Sequence, residues 1–206
     1  IGVMGTAQAA VDTSKSTITI KSDAPGNVAG TGQGDSNINI GTGANTYRLE
    51  NGKVSNNAIA IGTNAAGTGD KSVAIGKDSS AKVENGIAIG FTATNESIDS
   101  VAIGTRAKSS KDMDVAIGKE AQATGGESLA FGSQSKASGQ ATIAVGKESN
   151  ASGSSAVAAG YQSAAAGDNA VAVGKNTTAG ASNAIAVGLR ATATGTRAIA
   201  TGAGSS

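Results

Sequence analysis

From Ile59 to Gly202 one pattern recurs eleven times: a branched aliphatic residue, an alanine, a third small-to-medium residue and a glycine. The glycines are Gly62, Gly76, Gly90, Gly104, Gly118, Gly132, Gly146, Gly160, Gly174, Gly188 and Gly202, always fourteen residues apart. The alanines are Ala60, Ala74, Ala88, Ala102, Ala116, Ala130, Ala144, Ala158, Ala172, Ala186 and Ala200, with no exception. The third position is mostly Ile or Val and relaxes to Phe131, Ala159 and Thr201. Three residues after each glycine stands Ala, Ser or Thr, and five after it Ala is commonest. Such alternation has the period of strands, and β-branched residues with glycine disfavour helix. Each unit therefore reads as two short strands joined by two turns, and a spacing that never drifts means that each unit stacks on the next. Parallel strands about 4.8 Å apart make eleven coils a rod roughly 50 Å long.

The two strands differ in their faces. The first is apolar on both sides, Val/Ile on one and Ala on the other, whereas the second is apolar only on its Ser/Ala side. A roll closed by two sheets has one interior, so one apolar face of the first strand remains to be covered. A continuous aliphatic stripe is too large to leave in water, and the chain is expected to self-associate along it. The expected assignment points Val/Ile into the roll and puts the eleven-alanine stripe at the subunit interface, with the reverse as the alternative.

Composition narrows the function. Two Phe, two Tyr and no Trp against 31 Gly exclude a thick core. A net charge of +1 gives no footprint for nucleic acid or an anionic membrane, and no stretch approaches a membrane span. His and Cys are absent, which removes imidazole and thiolate ligands, disulfides and the commonest general base. The carboxylate pairs Asp112/Asp114 and Glu96/Asp99 read as solvated turn residues, and Gly30-Thr31-Gly32-Gln33-Gly34 lacks the Lys and the helix of a phosphate loop. No enzyme, cofactor or metal site is expected. A hexapeptide acyltransferase coil would run eighteen residues and use His, and an ice-binding solenoid would show a Thr ladder; neither pattern is present.

At residue level the unit Ser72-Val73-Ala74-Ile75-Gly76-Lys77-Asp78-Ser79-Ser80-Ala81 resembles the SVAIGxxSxA repeat of YadA-like heads in trimeric autotransporter adhesins. The stretches beginning Ser128-Leu129-Ala130-Phe131-Gly132 and Asn169-Ala170-Val171-Ala172-Val173-Gly174 are further copies. The resemblance covers about residues 57–206. It implies an all-β, left-handed parallel β-roll of 14-residue coils assembled as a homotrimer on a Gram-negative outer surface. It further implies binding to host matrix proteins, collagen first, or to a host receptor ectodomain. A spacer without a ligand is the rival reading. Residues 1–37 are expected to be irregular and to cap the solenoid, with 1–9 either a signal-peptide remnant ending in Ala7-Gln8-Ala9 or a first strand. Thr17-Ile18-Thr19-Ile20 reads as a strand and Pro25-Gly26 as a turn. Residues 38–61 form a degenerate coil around Ile38-Asn39-Ile40-Gly41 with seven extra residues looping outward, and 59–206 carry the regular repeats. No neck, heptads or barrel follow Ser206, so the membrane anchor is expected in sequence beyond it. Asn95, Ser97, Ser109 and Lys111 break the second-strand pattern, and their coils are expected to be looser. For receptor contact the exposed bulky residues Phe91, Tyr161 and Leu189, one place after the strand glycine, are the candidates, with Arg106 and Arg190 beside them and Tyr47 and Arg48 in the inserted loop.

Overall fold

The computed structural model describes residues 9–12, 17–20, 36–46 and 55–206. It divides into two compact units, Ile1–Asp99 and Ser100–Ser206. Both are built from one coil, and residues 160–173 show how it forms. Gly160 and Gly167 each open a turn, closed by hydrogen bonds from Ser163 N–H to Gly160 O (3.4 Å) and from Ala170 N–H to Gly167 O (3.1 Å). The third residue of each turn is left-handed: Gln162 at φ 53° and Asn169 at φ 55°. A strand follows each turn, Ala164–Ala165 after the first and Val171–Val173 after the second. Ser163, Ala165, Ala170 and Ala172 point inward and are buried. The coil is thus two seven-residue halves with the same backbone course, the fourth and sixth residues of each half facing inside. A left-handed L-residue costs roughly 1–2 kcal/mol. It persists here because the coil below accepts its N–H: Gln162 N–H bonds to Lys147 O at 3.0 Å and Asn169 N–H to Ser154 O at 2.8 Å.

The first unit begins with Ala9–Asp12 antiparallel to Thr17–Ile20. Thr17–Ile20 then runs parallel to Ile38–Ile40, and the ladder continues through Ile59–Ile61, Val73–Ile75 and Ile87–Ile89. Ile38 pairs with Ile59, so the longer repeat keeps the register of the regular ones. Asn39 occupies the place of alanine in that strand, buried, and donates from Nδ2 to Thr46 Oγ1 at 3.0 Å. The opposite sheet is made of Ala66–Gly67, Ser80–Ala81 and Thr94–Asn95. Pro25-Gly26 and most of the inserted loop, Tyr47 and Arg48 included, lie outside the described residues.

In the second unit eight three-residue strands, from Val101–Ile103 to Ile199–Thr201, form one parallel sheet, each paired with the strand fourteen residues on. Seven two-residue strands, from Lys108–Ser109 to Thr192–Ala193, form the other. Seven steps of about 4.8 Å make this unit about 34 Å tall.

The interior reverses the expected assignment of the long strand's two faces. The repeat alanines from Ala60 to Ala186 are 0% exposed within a single chain and Ala200 is 3% exposed, so the alanine stripe is core and no subunit can reach it. It is the first and third strand residues, Val/Ile, that face outward. The reason is steric. Both sheets offer the interior mainly Ala and Ser, with Asn39, Asn95, Asp114 and Thr177 among the local exceptions, and walls linked by turns this tight leave no room for a continuous column of Ile. Inward hydroxyls meet their own turn: Ser149 Oγ donates to Gly146 O at 2.9 Å and Thr177 Oγ1 to Gly174 O at 2.6 Å. The third residue after each glycine therefore tolerates Ser and Thr beside Ala.

The coils expected to loosen keep their strands in register, Ala81 opposite Asn95 and Ser109 opposite Ala123. Asn95 fits because the residue facing it across the interior is Gly86; a Cβ on Gly86 would lie 2.9 Å from Asn95 Cγ. Ser109 fits by accepting a hydrogen bond from Ser100 Oγ at 3.2 Å. Asp114, expected to be solvated, is likewise buried. Its carboxyl oxygens accept from Lys111 N–H (2.9 Å), Gly126 N–H (2.9 Å), Ser128 N–H (3.1 Å) and Ser128 Oγ (2.6 Å), four donors that satisfy a polar group held in the interior.

Candidate interaction surface

The eleven strand-closing glycines share φ between +109° and +140°, and within each unit they stack directly on one another. This brings successive coils close enough to align every outward residue into a column. Three columns matter.

The first is aliphatic and made by the outward residues of the long strands. Within the second unit Phe131 is 50% exposed, Ile143 40% and Ile199 69%, and Val157, Val171 and Ile185 are half-buried. In the first unit Val73, Ile75, Ile87 and Ile89 stand at the same places. This is a continuous apolar face in each unit, larger in kind than the scattered apolar residues of a monomeric surface.

The second column runs along the turn that leaves the long strand and holds the sequence-picked aromatics. Phe91 is exposed under Lys77 Nζ, 5.8 Å from its ring centroid. Tyr161 lies between Lys147 and Lys175, each ammonium 5.7 Å from the ring centroid. Leu189 and Arg190 are exposed. Arg106 is tied to the carboxylate of Glu120 one coil on. These residues are not gathered into one cluster: Phe91 belongs to the first unit, and Tyr161 and Leu189 are two coils apart, about 10 Å.

The third column was not picked from the sequence. Glu120, Gln122, Gln134, Lys136, Glu148, Ser149 and Asn150 line a shallow polar hollow of about 510 Å³ on the short-strand side of the second unit. Its signal is the run Gln122, Lys136, Asn150 at the outward place of consecutive short strands, where later coils carry Ala164, Thr178 and Thr192. Ladders of side chains one coil apart organise it. Gln134 Nε2 donates to Glu120 Oε2 at 3.0 Å and Gln162 Nε2 to Glu148 Oε2 at 2.7 Å. Hydrogen bonds from Arg106 and then Gln134 hold the Glu120 carboxyl below the usual carboxylate range. Gln162 and then Lys147 do the same for Glu148. Among the described residues no group of three or more carboxylates is close enough to hold a metal ion, and no helix is long and apolar enough to cross a membrane.

Short coils, two parallel sheets, an alanine interior and an uncovered aliphatic face define an all-β parallel solenoid of 14-residue repeats. The family model "YadA head domain repeat" matches residues 68–93, 96–121, 123–149, 151–177 and 179–205, and the chain belongs to that family. Membership makes it adhesin-like and implies exposure on the surface of a Gram-negative cell. No curated protein matches the chain.

Proposed function

We propose that this chain is the head of a bacterial adhesin, left-handed in its coil and homotrimeric, which binds host matrix protein of the collagen type or a host receptor ectodomain without catalysing a reaction. The observation that carries the reading is the pairing of five family-matched segments with one uncovered aliphatic face. Three copies that bury this face against one another remove it from water and leave the short-strand side outward. Each outward side then presents the same polar hollow and Lys/Tyr column, and three weak contacts give avidity that no single pocket supplies. Solution mass tests the assembly: a particle of three chains is expected, and a chain that stays single at micromolar concentration overturns it. A panel of immobilised matrix proteins and receptor ectodomains tests the ligand, with Tyr161→Ala/Leu189→Ala and Gln122→Ala/Lys136→Ala/Asn150→Ala as probes of the two outward columns. Binding to no member of the panel favours the spacer reading.

A further inference from the structure

We infer that lysines on one edge of the aliphatic face pair with aspartates on the opposite edge of the next copy, and that these pairs select the register between copies. This rests on the proposal that the Val/Ile face is buried between copies.

Every long strand is flanked by two turns, and the same place in each turn lies seven residues apart in the sequence. Lys77, Lys119 and Lys175 hold that place in the turn leaving the strand, and Asp70, Asp112 and Asp168 hold it in the turn leading into the same strand. The acid and the base of each pair therefore stand on one coil, at opposite edges of the aliphatic face. Within a chain the strand separates them. Lys175 instead lies over the Tyr161 ring, Lys77 reaches Asp78 only at 3.9 Å, and one Asp168 oxygen accepts from Ser154 N–H at 2.9 Å. The lysines, Asp112 and Asp168 are exposed, and Asp70 is half-buried.

Closed rings of identical copies join one edge of each copy to the other edge of its neighbour at the same height. In that arrangement Lys119 comes beside a neighbour's Asp112, Lys175 beside Asp168, and, in the first unit, Lys77 beside Asp70. In the second unit a slip of one coil destroys the match, since Lys175 then faces Ser154 or Ser182 and Lys119 faces Ile98 or Gly126. In the first unit Lys77 meets Glu84 on slipping one way, a carboxylate already paired with Lys71 of its own chain. The aliphatic columns alone do not choose a register, because Val and Ile repeat on nearly every coil. Charges placed on selected coils do choose, and specificity rather than affinity is what exposed ion pairs supply best.

The test uses the full chain, with its assembly followed by sedimentation as a function of concentration and salt. Lys119→Glu/Lys175→Glu is expected to raise the concentration at half-assembly by about tenfold at low salt, and by much less at 0.5 M salt, with an unchanged far-UV spectrum. Adding Asp112→Lys/Asp168→Lys to that variant restores assembly, which a merely misfolded variant would not do. Lys147→Glu, whose coil carries Gln140 at the opposite edge, leaves assembly close to wild type. A wild-type chain that never assembles overturns the buried face and the ion pairs together. A wild type that assembles, with a Lys119→Glu/Lys175→Glu variant that assembles as tightly, overturns the ion pairs alone.

Discussion

Replacing Gly118 with alanine should unfold the solenoid far more readily than replacing Gly202, although both glycines close the same strand of the same repeat. Gly118 sits at φ +134°, where an L-residue is strained, and a Cβ there would lie 2.5 Å from Gly132 O, 2.6 Å from Gly132 C and 3.1 Å from Ser133 N. Gly202 shares the unusual backbone, φ +109°, but has nothing within 4 Å of a Cβ. Backbone strain costs about 1–3 kcal/mol at either site. The clash at Gly118 adds about 1–3 kcal/mol of overpacking, because the atoms in the way are backbone of the next coil and cannot rotate aside. Gly118→Ala is therefore expected to cost about 2–6 kcal/mol and Gly202→Ala about half as much. Urea unfolding followed by far-UV circular dichroism, at one fixed chain concentration, measures the difference. Hydrogen exchange of the amides between Ile103 and Val145 reports whether the loss is local, as expected of a stack in which each coil touches only its neighbours. Equal costs at the two sites would refute the argument that glycine is required by coil-to-coil approach and would leave φ as the sole reason.

Gly86→Ala should destabilise by about 1–3 kcal/mol, since the new methyl meets Asn95 across the interior; adding Asn95→Ala should recover much of the loss, a non-additivity visible in a denaturant double-mutant cycle. Thr92 is β-branched and left-handed at φ 52°, so Thr92→Asn should stabilise by about 1 kcal/mol and raise the melting temperature by a few degrees. Glu120 and Glu148 have folded pKa values below the ordinary carboxylate value, so their contribution is fully present above that value, near pH 4.3, and is lost as pH falls through the lowered folded values. Glu120→Gln/Glu148→Gln should flatten the acid limb of a stability-against-pH curve, and an identical acid limb would show that these ladders carry none of it.

Much of the coil was legible in the sequence. Period-two alternation and unbroken spacing sufficed for two strands and two turns, and the Val/Ile and Ala columns were both visible as apolar. Which column faces inward was misjudged, and the signal that decides it was present. Ala is invariant where space is fixed, whereas the outward third position admits Phe131, Ala159 and Thr201. Invariance of a small residue marked the tight side, not the dispensable one. The fit of Asn95 against Gly86 was beyond reach, because it depends on knowing that residues nine apart face one another across the interior. Asp114 was hidden for a similar reason: its donors at Gly126 and Ser128 come from the coil above, and a carboxylate beside Asp112 and Lys111 reads as solvated until that coil is placed. The polar hollow shows only when Gln122, Lys136 and Asn150 are aligned into a column, and a single unit contains no trace of it.

The two halves of a coil share turn geometry, left-handed corners and inward small residues, so the backbone does not favour either side of the roll as the face of the proposed assembly. That choice rests on the outward residues alone. Leu129 and Phe131 occupy in one half the places that Gln122 and Thr124 occupy in the other. Because the interior is satisfied by either half, outward substitutions are decoupled from folding to first order, and each column can change without disturbing the stack. On the proposed assembly, a repeat built this way tolerates wide variation on its short-strand side while the long-strand side stays aliphatic, since a polar residue there exposes no core but would weaken the proposed contact between copies. Exchanging Gln122 and Thr124 with Leu129 and Phe131 should accordingly leave the coil folded and impair assembly, which separates the two roles in one chain.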